Sequence, residues 1–416
     1  MYLTNLHTKD KMMKMRYFHS IETLPGCFIM FLVLILGTFQ QGFSQGNQTF
    51  NYTGSTQTFT APAGVTSITV AAWGGGGRGG SSTGGNTSET GGGGGGAYSL
   101  KVTTVVPGTT YNVFVGAGST STSAGGDSYF INTSTILAKG GNSGANNTTT
   151  GATGGALASG VGDFRYSGGN GANGSDGNYG GGGGSSAGTG TNGNSATNQT
   201  GATAPTGGGN GGNGPTSAGN GSAGSAPGGG GGGVRSAGAN PIGGAGGSGK
   251  VVITWTCPSA TISYAASSFC KSVTIPQSIT FSGSGGGTFS AAPAGLTIDA
   301  AGTIIPSTST SGTYTVHYII AADRGCSLDA TTSVTINPVP TASATKNDIS
   351  CFDAHDGQIV VTGSNGTAPY TYSIYNGVAH SPYTDYQSVN AFTGLAPGQY
   401  KIRVKDANGC ESVSIP

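Results

Sequence analysis

Oxygen-bearing side chains lie close to two cysteines near the C-terminus. Two of them follow Cys351 and two precede Cys410; they are Asp353, Asp356, Asp406 and Asn408. If Cys351 and Cys410 are bonded to each other, the four side chains meet at one end of a β-sandwich. Hard oxygen ligands suit Ca²⁺, so the spacing suggests a calcium site. The alternative is turn formation, because Asp-Gly and Asn-Gly are turn dipeptides.

The cysteines themselves point to disulfides. Five of the six lie after residue 256; they are Cys257, Cys270, Cys326, Cys351 and Cys410. None stands in a C-x-x-C pair, which argues against a zinc ribbon or a thioredoxin-like redox motif. We expect Cys351–Cys410, which bracket the last module, and Cys270–Cys326, leaving Cys257 unpaired. A link from Cys257 to Cys326 is the alternative to the second pairing.

Residues for acid–base or nucleophilic catalysis are scarce after residue 44. The histidines there are His317, His355 and His380, and His317 lies on an alternating strand typical of a sheet residue. No P-loop, H-E-x-x-H or strand-turn-helix G-x-S-x-G pattern is present. G-x-G-x-x-G matches are expected by chance among 83 glycines, and none opens a helix. We therefore expect no enzyme and no cofactor beyond the calcium considered above.

Composition narrows the class of protein further. Only 7% of the 416 residues are charged and the formal net charge is +1, against about 25% charged residues in ordinary soluble domains. Such a chain has no electrostatic basis for binding nucleic acid or an anionic membrane surface. The partners expected instead are extracellular surfaces, polysaccharide or other surface proteins.

The N-terminus has the pattern of an export signal. Basic residues including Lys11 and Arg16 precede an apolar run over 27–39, and Gly42 and Ser44 are the small residues of a cleavage site. The run is shorter than the roughly 20 residues of a membrane span. We expect a signal peptide over 1–44, no membrane span after its removal, and a secreted or outer-surface location; a retained N-terminal anchor is the alternative.

Residues 47–255 alternate between strand patterns and glycine runs. Period-2 alternation of apolar and polar residues predicts strands near Val70 and Val252. Each strand has one apolar face, so we expect them to pair, making 116–249 a glycine-rich insertion. Runs such as 91–96 and 228–233 favour polyglycine-II-like helices, because bare glycine lets backbones approach and bond to one another. A disordered insertion is the alternative.

This half resembles the glycine-rich domain of secreted bacterial surface proteins. The resemblance rests on F-T-A-P-A-G-V-T-S-I-T-V-A-A-W-G-G-G-G (59–77), G-G-G-G-A-Y-S (93–99), P-G-T-T-Y-N-V-F-V-G-A-G (107–118) and G-G-S-G-K-V-V-I-T-W (246–255). It implies a β-sandwich that carries a glycine-helix insert, and it implies no single activity.

Two smaller strand-rich modules follow, over 256–337 and 346–416, with a stiff linker over 338–345. In both modules a Gly-x-Tyr sequence is followed by a strand, then by an Asp and a Gly-Cys pair. This order places Tyr314 and Tyr400 at a strand start, where β-sandwiches often hydrogen-bond a tyrosine hydroxyl to the nearby backbone. The fold class expected is all-β, with two Ig-like antiparallel sandwiches after the glycine-rich domain.

The last module resembles an SprB-type repeat of gliding-bacterium adhesins. The matching residues are I-S-C-F-D-A-H-D-G-Q-I-V-V (349–361), G-T-A-P-Y-T-Y-S-I (366–374) and L-A-P-G-Q-Y-K-I-R-V-K-D-A-N-G-C (395–410). The resemblance implies a non-catalytic cell-surface protein linked to gliding motility or surface attachment. The alternative is a carbohydrate-binding accessory region of a secreted enzyme, with Tyr370, Tyr372, Tyr375, Tyr383 and Tyr386 as stacking faces.

Overall fold

The computed structural model describes residues 45–86, 89–238, 240–377 and 383–413. The expected signal peptide and His380 lie outside the described residues. Strands are the main regular structure of the described chain, and its helices are single 3-10 turns at Leu157–Ser159 and Pro306–Thr308. The expected all-β class is confirmed.

The first domain contains two sheets packed face to face. Its strands are β1 (Gln45–Asn51), β2 (Gln57–Thr60), β3 (Ser67–Trp73), β4 (Tyr98–Thr104), β5 (Thr110–Phe114), β6 (Ser128–Phe130), β7 (Ile136–Ala138), β8 (Phe164–Tyr166) and β9 (Lys250–Thr256). One sheet has the order β1-β9-β3-β4-β8 and the other β2-β5-β6-β7. Val70 lies opposite Ile253 in the antiparallel β3–β9 pair, which confirms the expected pairing. Phe59, Val113 and Phe130 of the second sheet share one core with these strands.

The glycine segments between the strands are ordered by backbone hydrogen bonds. Along 91–96, three consecutive N–H groups donate to three different neighbouring segments, and the pattern then repeats. The acceptors, in order, are the carbonyl oxygens of Thr148, Ala172, Gly231, Asn142, Gly169 and Gly228. A repeat of three residues per turn, with every backbone hydrogen bond made between segments, is the polyglycine-II-like arrangement that was expected. The alternative, a disordered insertion, does not form.

Glycine is required in this bundle because the backbones touch. A Cβ on Gly94 would lie 2.0 Å from the carbonyl oxygen of Thr153, and one on Gly95 would lie 1.9 Å from that of Ser185. Both distances are far below van der Waals contact, and the neighbours are backbone atoms that cannot swing aside. At these inner positions the bundle has no room for even a methyl group.

Asparagines complete the hydrogen bonding at the outside of the bundle. An outer segment lacks a neighbour on one side, and an Asn side-chain oxygen accepts the N–H that points there. The pairs are Asn146 with Ser81, Asn170 with Gly154, Asn173 with Gly151, Asn192 with Ser167, Asn210 with Ala204, Asn213 with Gly201 and Asn220 with Ile242. Backbone donors at the edge of the bundle are thereby satisfied without another segment.

The expected bounds of the insertion, 116–249, are wrong. Strands β6, β7 and β8 lie within that range but belong to the two sheets. Conversely, the bundle includes 74–80 and 91–96, where Gly77 donates to the carbonyl oxygen of Gly94 and Gly80 to that of Gly91. The reason is that the few apolar residues in the tract, such as Phe130 and Ile136, are buried in the sandwich core.

Two further sandwiches follow in sequence. The second module contains β10 (Ala260–Ser263), β11 (Ser268–Cys270), β12 (Thr280–Gly283), β13 (Thr288–Ala292), β14 (Gly312–Asp323) and β15 (Cys326–Asn337). Its sheets are β10-β12 and β11-β15-β14-β13. The pairing of β11 with β15 is parallel, a departure from the wholly antiparallel module expected.

The third module has sheets β16-β17-β19 and β18-β20-β21. Its strands are β16 (Thr341–Asn347), β17 (Gly357–Ser364), β18 (Thr371–Asn376), β19 (Ala391–Leu395), β20 (Tyr400–Lys405) and β21 (Glu411–Val413). The expected linker over 338–345 is wrong in its larger part, because β16 pairs with β17 from Thr341 onward. Its T-A-S-A-T sequence is polar, yet it suits a mostly exposed edge strand.

Candidate functional site

The disulfides connect modules rather than closing them. Cys257 bonds to Cys326, and Cys270 bonds to Cys410. Both expected pairings, Cys351–Cys410 and Cys270–Cys326, are therefore wrong, as is the unpaired Cys257, whereas the alternative link from Cys257 to Cys326 is the one that forms. Cys351 is exposed and is the free cysteine among the described residues. The expectation assumed that each bond stays within one module, whereas these cysteines lie where consecutive modules meet.

The first junction, around Cys257–Cys326, is packed continuously. Both cysteines belong to the core cluster of the first domain, although Cys326 starts β15 of the second module. The Trp255 indole N–H donates to the Cys326 sulfur at 3.3 Å. The Arg324 guanidinium lies 5.7 Å from the centre of the Phe59 ring and also donates to the Gln48 side chain. A covalent bond, a shared core and a cation–π contact thus join the two modules.

The second junction, at Cys270–Cys410, is held by a turn on Asp406. One oxygen of this carboxylate accepts the N–H of Asn408 at 3.0 Å and that of Cys410 at 2.8 Å. The other oxygen accepts the N–H of Thr367 at 3.0 Å. Asp406 is therefore a buried turn acceptor that fixes the position of Cys410.

The predicted calcium site does not form. Asp356 accepts the backbone N–H of Ser350 at 3.0 Å, and its hydrogen bonds with Ser350 lower the pKa of its carboxyl. Within the described ranges, no group of three or more His, Cys, Asp or Glu side chains could hold a metal ion, so Asp353, Asp356 and Asp406 are not assembled. The physical reason is that Cys351 and Cys410, whose bond was to join the two loops, are not bonded. Turn formation, the alternative, accounts for Asp406 and Asn408.

Three tyrosines fix the corners of the two small sandwiches. Each donates its hydroxyl hydrogen to the carbonyl oxygen four residues earlier: Tyr314 to Thr310 at 2.7 Å, Tyr370 to Gly366 at 2.8 Å, and Tyr400 to Ala396 at 2.9 Å. The docking expected for Tyr314 and Tyr400 is confirmed. The corner at Tyr370 was missed, because Ala368 stands two residues before it, where the other two corner tyrosines have a glycine. Tyr370 and the buried Tyr372 are thus structural.

The other three tyrosines lie on the outer face of the β18-β20-β21 sheet. Ile402 and Val404 of β20 point into the core, so Lys401, Arg403 and Lys405 project from the opposite face. We call Tyr375, Tyr383, Tyr386, Lys401, Arg403 and Lys405 the tyrosine–cation ladder. The Arg403 guanidinium lies 3.6 Å from the Tyr383 ring centre and the Lys405 ammonium 4.2 Å from that of Tyr386. Tyr375 and Tyr383 have ring centres 5.1 Å apart.

One end of the ladder is electrostatically coupled to Glu411. The Lys405 ammonium lies 2.9 Å from the Glu411 carboxylate. Burial, and secondarily the nearby Glu411 carboxylate, raises the pKa of the Tyr386 hydroxyl. Burial opposes the charged form of Glu411, but the nearby Lys405, Tyr386 and Arg403 hold the pKa of its carboxyl below the usual value. Lys405 is therefore partly neutralised, while the other two cations make no salt bridge to a described carboxylate.

A polar cleft of about 580 Å³ opens at one end of the glycine bundle. The buried Glu89 accepts the N–H of Gly177 at 3.0 Å, and its other oxygen lies 3.8 Å from the Nε of Arg235. Arg235 also donates to the carbonyl oxygen of Gly177 at 2.7 Å. These charges tie three segments together, and no His or Cys is among the cleft's described lining residues. The pairing of Glu89 with Arg235 was not predicted, although two isolated charged residues in a glycine-rich tract could have indicated it.

Two parts of the chain match known protein families, and they correspond to the first domain and to the third module of the structure. Residues 51–256 match the family model of a glycine-rich domain, and residues 343–379 match that of a SprB repeat. Both resemblances drawn from the sequence are thereby confirmed, the second over a shorter segment than the whole last module. No curated protein matches the chain. The helices among the described residues are too short and polar to cross a membrane.

Proposed function

We propose that this chain, in which a glycine-rich domain precedes a SprB repeat, is an exported cell-surface protein with a structural and adhesive role and no catalytic activity. The observation that carries the proposal is the pair of disulfides at the module junctions. A SprB repeat is the feature that favours the cell surface and an association with gliding. Disulfides persist in oxidising compartments, which agrees with export.

The two bonds suit a protein that carries tensile load. A force applied at both ends passes along the shortest covalent path, which runs from Cys257 to Cys270 and then through the disulfide to Cys410. That path has 270 − 257 = 13 residues, whereas the uncrosslinked segment has 410 − 257 = 153. At about 3.5 Å per extended residue, these are about 45 Å and about 540 Å. Residues between Cys270 and Cys410 are thus shielded from stretching.

Catalysis has little support from the arrangement of polar groups. His317 contacts Asp329 across neighbouring strands at 3.0 Å, on the partly exposed face of a sheet. Among the described residues, no serine, threonine or cysteine is hydrogen-bonded to the His317 ring. Glu89 and Arg235 in the polar cleft are used to join glycine segments. The described side chains best suited to chemistry are therefore engaged in holding the fold.

Single-molecule stretching of the protein tests the load-bearing role. We expect the stretched segment from Cys257 to Cys410 to reach a length of about 45 Å when both bonds are intact. In the Cys270→Ala/Cys410→Ala variant the covalent path runs from Cys257 through the disulfide to Cys326, and then along 410 − 326 = 84 residues, which extend to about 290 Å. With all four cysteines replaced, the extended path is about 540 Å long. Cys351→Ala is the matched control and leaves the length unchanged. Equal lengths in the oxidised and the four-cysteine variant contradict the proposal.

Deletion of the gene tests the surface role. We expect weaker attachment to surfaces and slower colony spreading, restored by the intact gene. If attachment and spreading stay normal while a secreted hydrolytic activity disappears, the accessory-region alternative replaces this proposal.

A further inference from the structure

We infer that the tyrosine–cation ladder is a binding surface for an acidic polysaccharide. The inference rests on the proposed surface role for its setting and on the third module alone for its chemistry. The ladder lies outside the sandwich core, and its rings are not the ones used as corners. It therefore has no evident part in holding the module together.

The first supporting observation is the concentration of positive charge. The chain has 16 Lys and Arg, of which four precede residue 17, leaving 16 − 4 = 12 in the rest. Three of these twelve, Lys401, Arg403 and Lys405, alternate along β20. Alternate residues of a strand share a face and stand about 6.7 Å apart, so the cations form a row along one side of the sheet. In a chain with 7% charged residues, such a row is a distinct feature.

The second observation is that a ring, rather than a carboxylate, positions Arg403. Arg403 lies over Tyr383, and its buried Nε has no hydrogen-bond partner. Lys401 and Arg403 make no salt bridge within the described chain, whereas Lys405 has Glu411. Tyrosine rings hold a cation in place without neutralising it, because the attraction comes from the ring quadrupole. Two positive charges thus remain available to an anionic ligand.

The row and the rings together fit a sugar polymer with negative groups. Regularly spaced cations match regularly spaced carboxylates or sulfates, and tyrosines offer flat, rigid faces with a hydroxyl for the sugar rings. Nucleic acid is less suitable, since its binders carry a large positive field and this chain has a net charge of +1. The exposed Asp385 precedes Tyr386 in the chain, and because a carboxylate there opposes an anionic ligand, removing it is expected to strengthen binding.

Binding of the purified protein to immobilised alginate, with dextran as the neutral comparison, tests the inference. We expect binding to alginate only, weakened by raising NaCl from 50 to 500 mM because salt screens exposed charges. Lys401→Gln and Arg403→Gln each weaken binding about threefold, and together about tenfold. Asp385→Asn strengthens it, and Lys271→Gln, which removes an exposed charge from the second module, has no effect.

The exposed Lys401 keeps the test clear of folding defects, because its side chain is outside the core. Equal binding to dextran, equal or stronger binding to single-stranded DNA, or no loss in the Lys401→Gln/Arg403→Gln variant overturns the inference. So does the absence of any binding to alginate and to a sulfated polysaccharide such as dextran sulfate. None of these outcomes alters the stretching lengths, so the proposed load-bearing role stands or falls separately.

Discussion

Cys270 and Cys410 have Cα atoms 5.4 Å apart, although 140 residues separate them in the chain. The bond joins the end of β11 in the second module to the residue before β21 in the third. Cys257 and Cys326, 69 residues apart, similarly join the first domain to the second module. Consecutive modules are thus tied in pairs, and the orientation of each on the next is restricted by a covalent bond.

Loss of the second bond is expected to destabilise the protein. The Cys270→Ala/Cys410→Ala variant should lose about 2–5 kcal/mol in free energy of unfolding, because the bond restricts a long loop in the unfolded chain. Urea unfolding of the oxidised protein measures this, with Cys351→Ala as the control that changes little. Peptide mapping without reduction should recover Cys257–Cys326 and Cys270–Cys410; recovery of Cys351–Cys410 would contradict the structure.

The sequence predicts what depends on local pattern. The alternation of apolar and polar residues predicted the strands around Val70 and Ile253. Each strand has one apolar face that must be buried, and the two strands pair with each other in one sheet. The Gly-x-Tyr pattern likewise located the corners at Tyr314 and Tyr400. In each case the required information lies within a few residues of the position concerned.

The sequence does not predict what depends on how modules meet. Cys257 and Cys326 are adjacent because two domain surfaces pack together, and no spacing rule encodes that contact. The calcium expectation failed for the same reason, since it was built on a bond between Cys351 and Cys410. The tyrosines of the ladder were named from the sequence as stacking faces, but their pairing with the cations of β20 was not, because Tyr383 is distant from Arg403 in sequence and only the fold stacks them.

A single methyl group in the glycine bundle is expected to be costly. In Gly94→Ala the new Cβ would lie 2.0 Å from the carbonyl oxygen of Thr153, so two backbones must separate. We expect a loss of at least about 2 kcal/mol in free energy of unfolding. Gly190→Ala is the matched control, because Gly190 is exposed and a Cβ there meets nothing within 4 Å. Thermal and urea unfolding of both variants should separate them; equal stability would refute close backbone packing.

The asparagines outside the bundle are expected to act as acceptors. Asn170 accepts the N–H of Gly154 at 2.9 Å, so Asn170→Ala should cost about 1 kcal/mol and speed hydrogen exchange at Gly154. Asn170→Asp keeps an oxygen in the same place and should restore most of the loss. If the Ala and Asp variants exchange equally fast at Gly154, the side chain does not supply this hydrogen bond.

Alkaline pH is expected to weaken the first domain through Tyr98. Burial, and secondarily the neighbouring Tyr166, raises the pKa of the Tyr98 hydroxyl from 10.0 to about 12. Because the pKa of Tyr98 is higher in the folded protein than in the unfolded chain, its contribution to the free energy of unfolding is fully present below pH 10. Between pH 10 and 12 the unfolded chain loses the Tyr98 proton while the folded chain keeps it, so the free energy of unfolding falls.

The Tyr98→Phe variant measures this contribution because it keeps the ring, which packs 4.8 Å from Trp73, and removes the titrating hydroxyl. From pH 8 to 11 the parent protein should lose about 1 kcal/mol more than the variant in urea unfolding. Tyr52→Phe, at an exposed position, is the control and should follow the parent. Both measurements belong in a Cys351→Ala background, since a free thiolate at high pH would exchange the disulfides. If Tyr98→Phe shows the same alkaline loss as the parent, the buried hydroxyl is not its source.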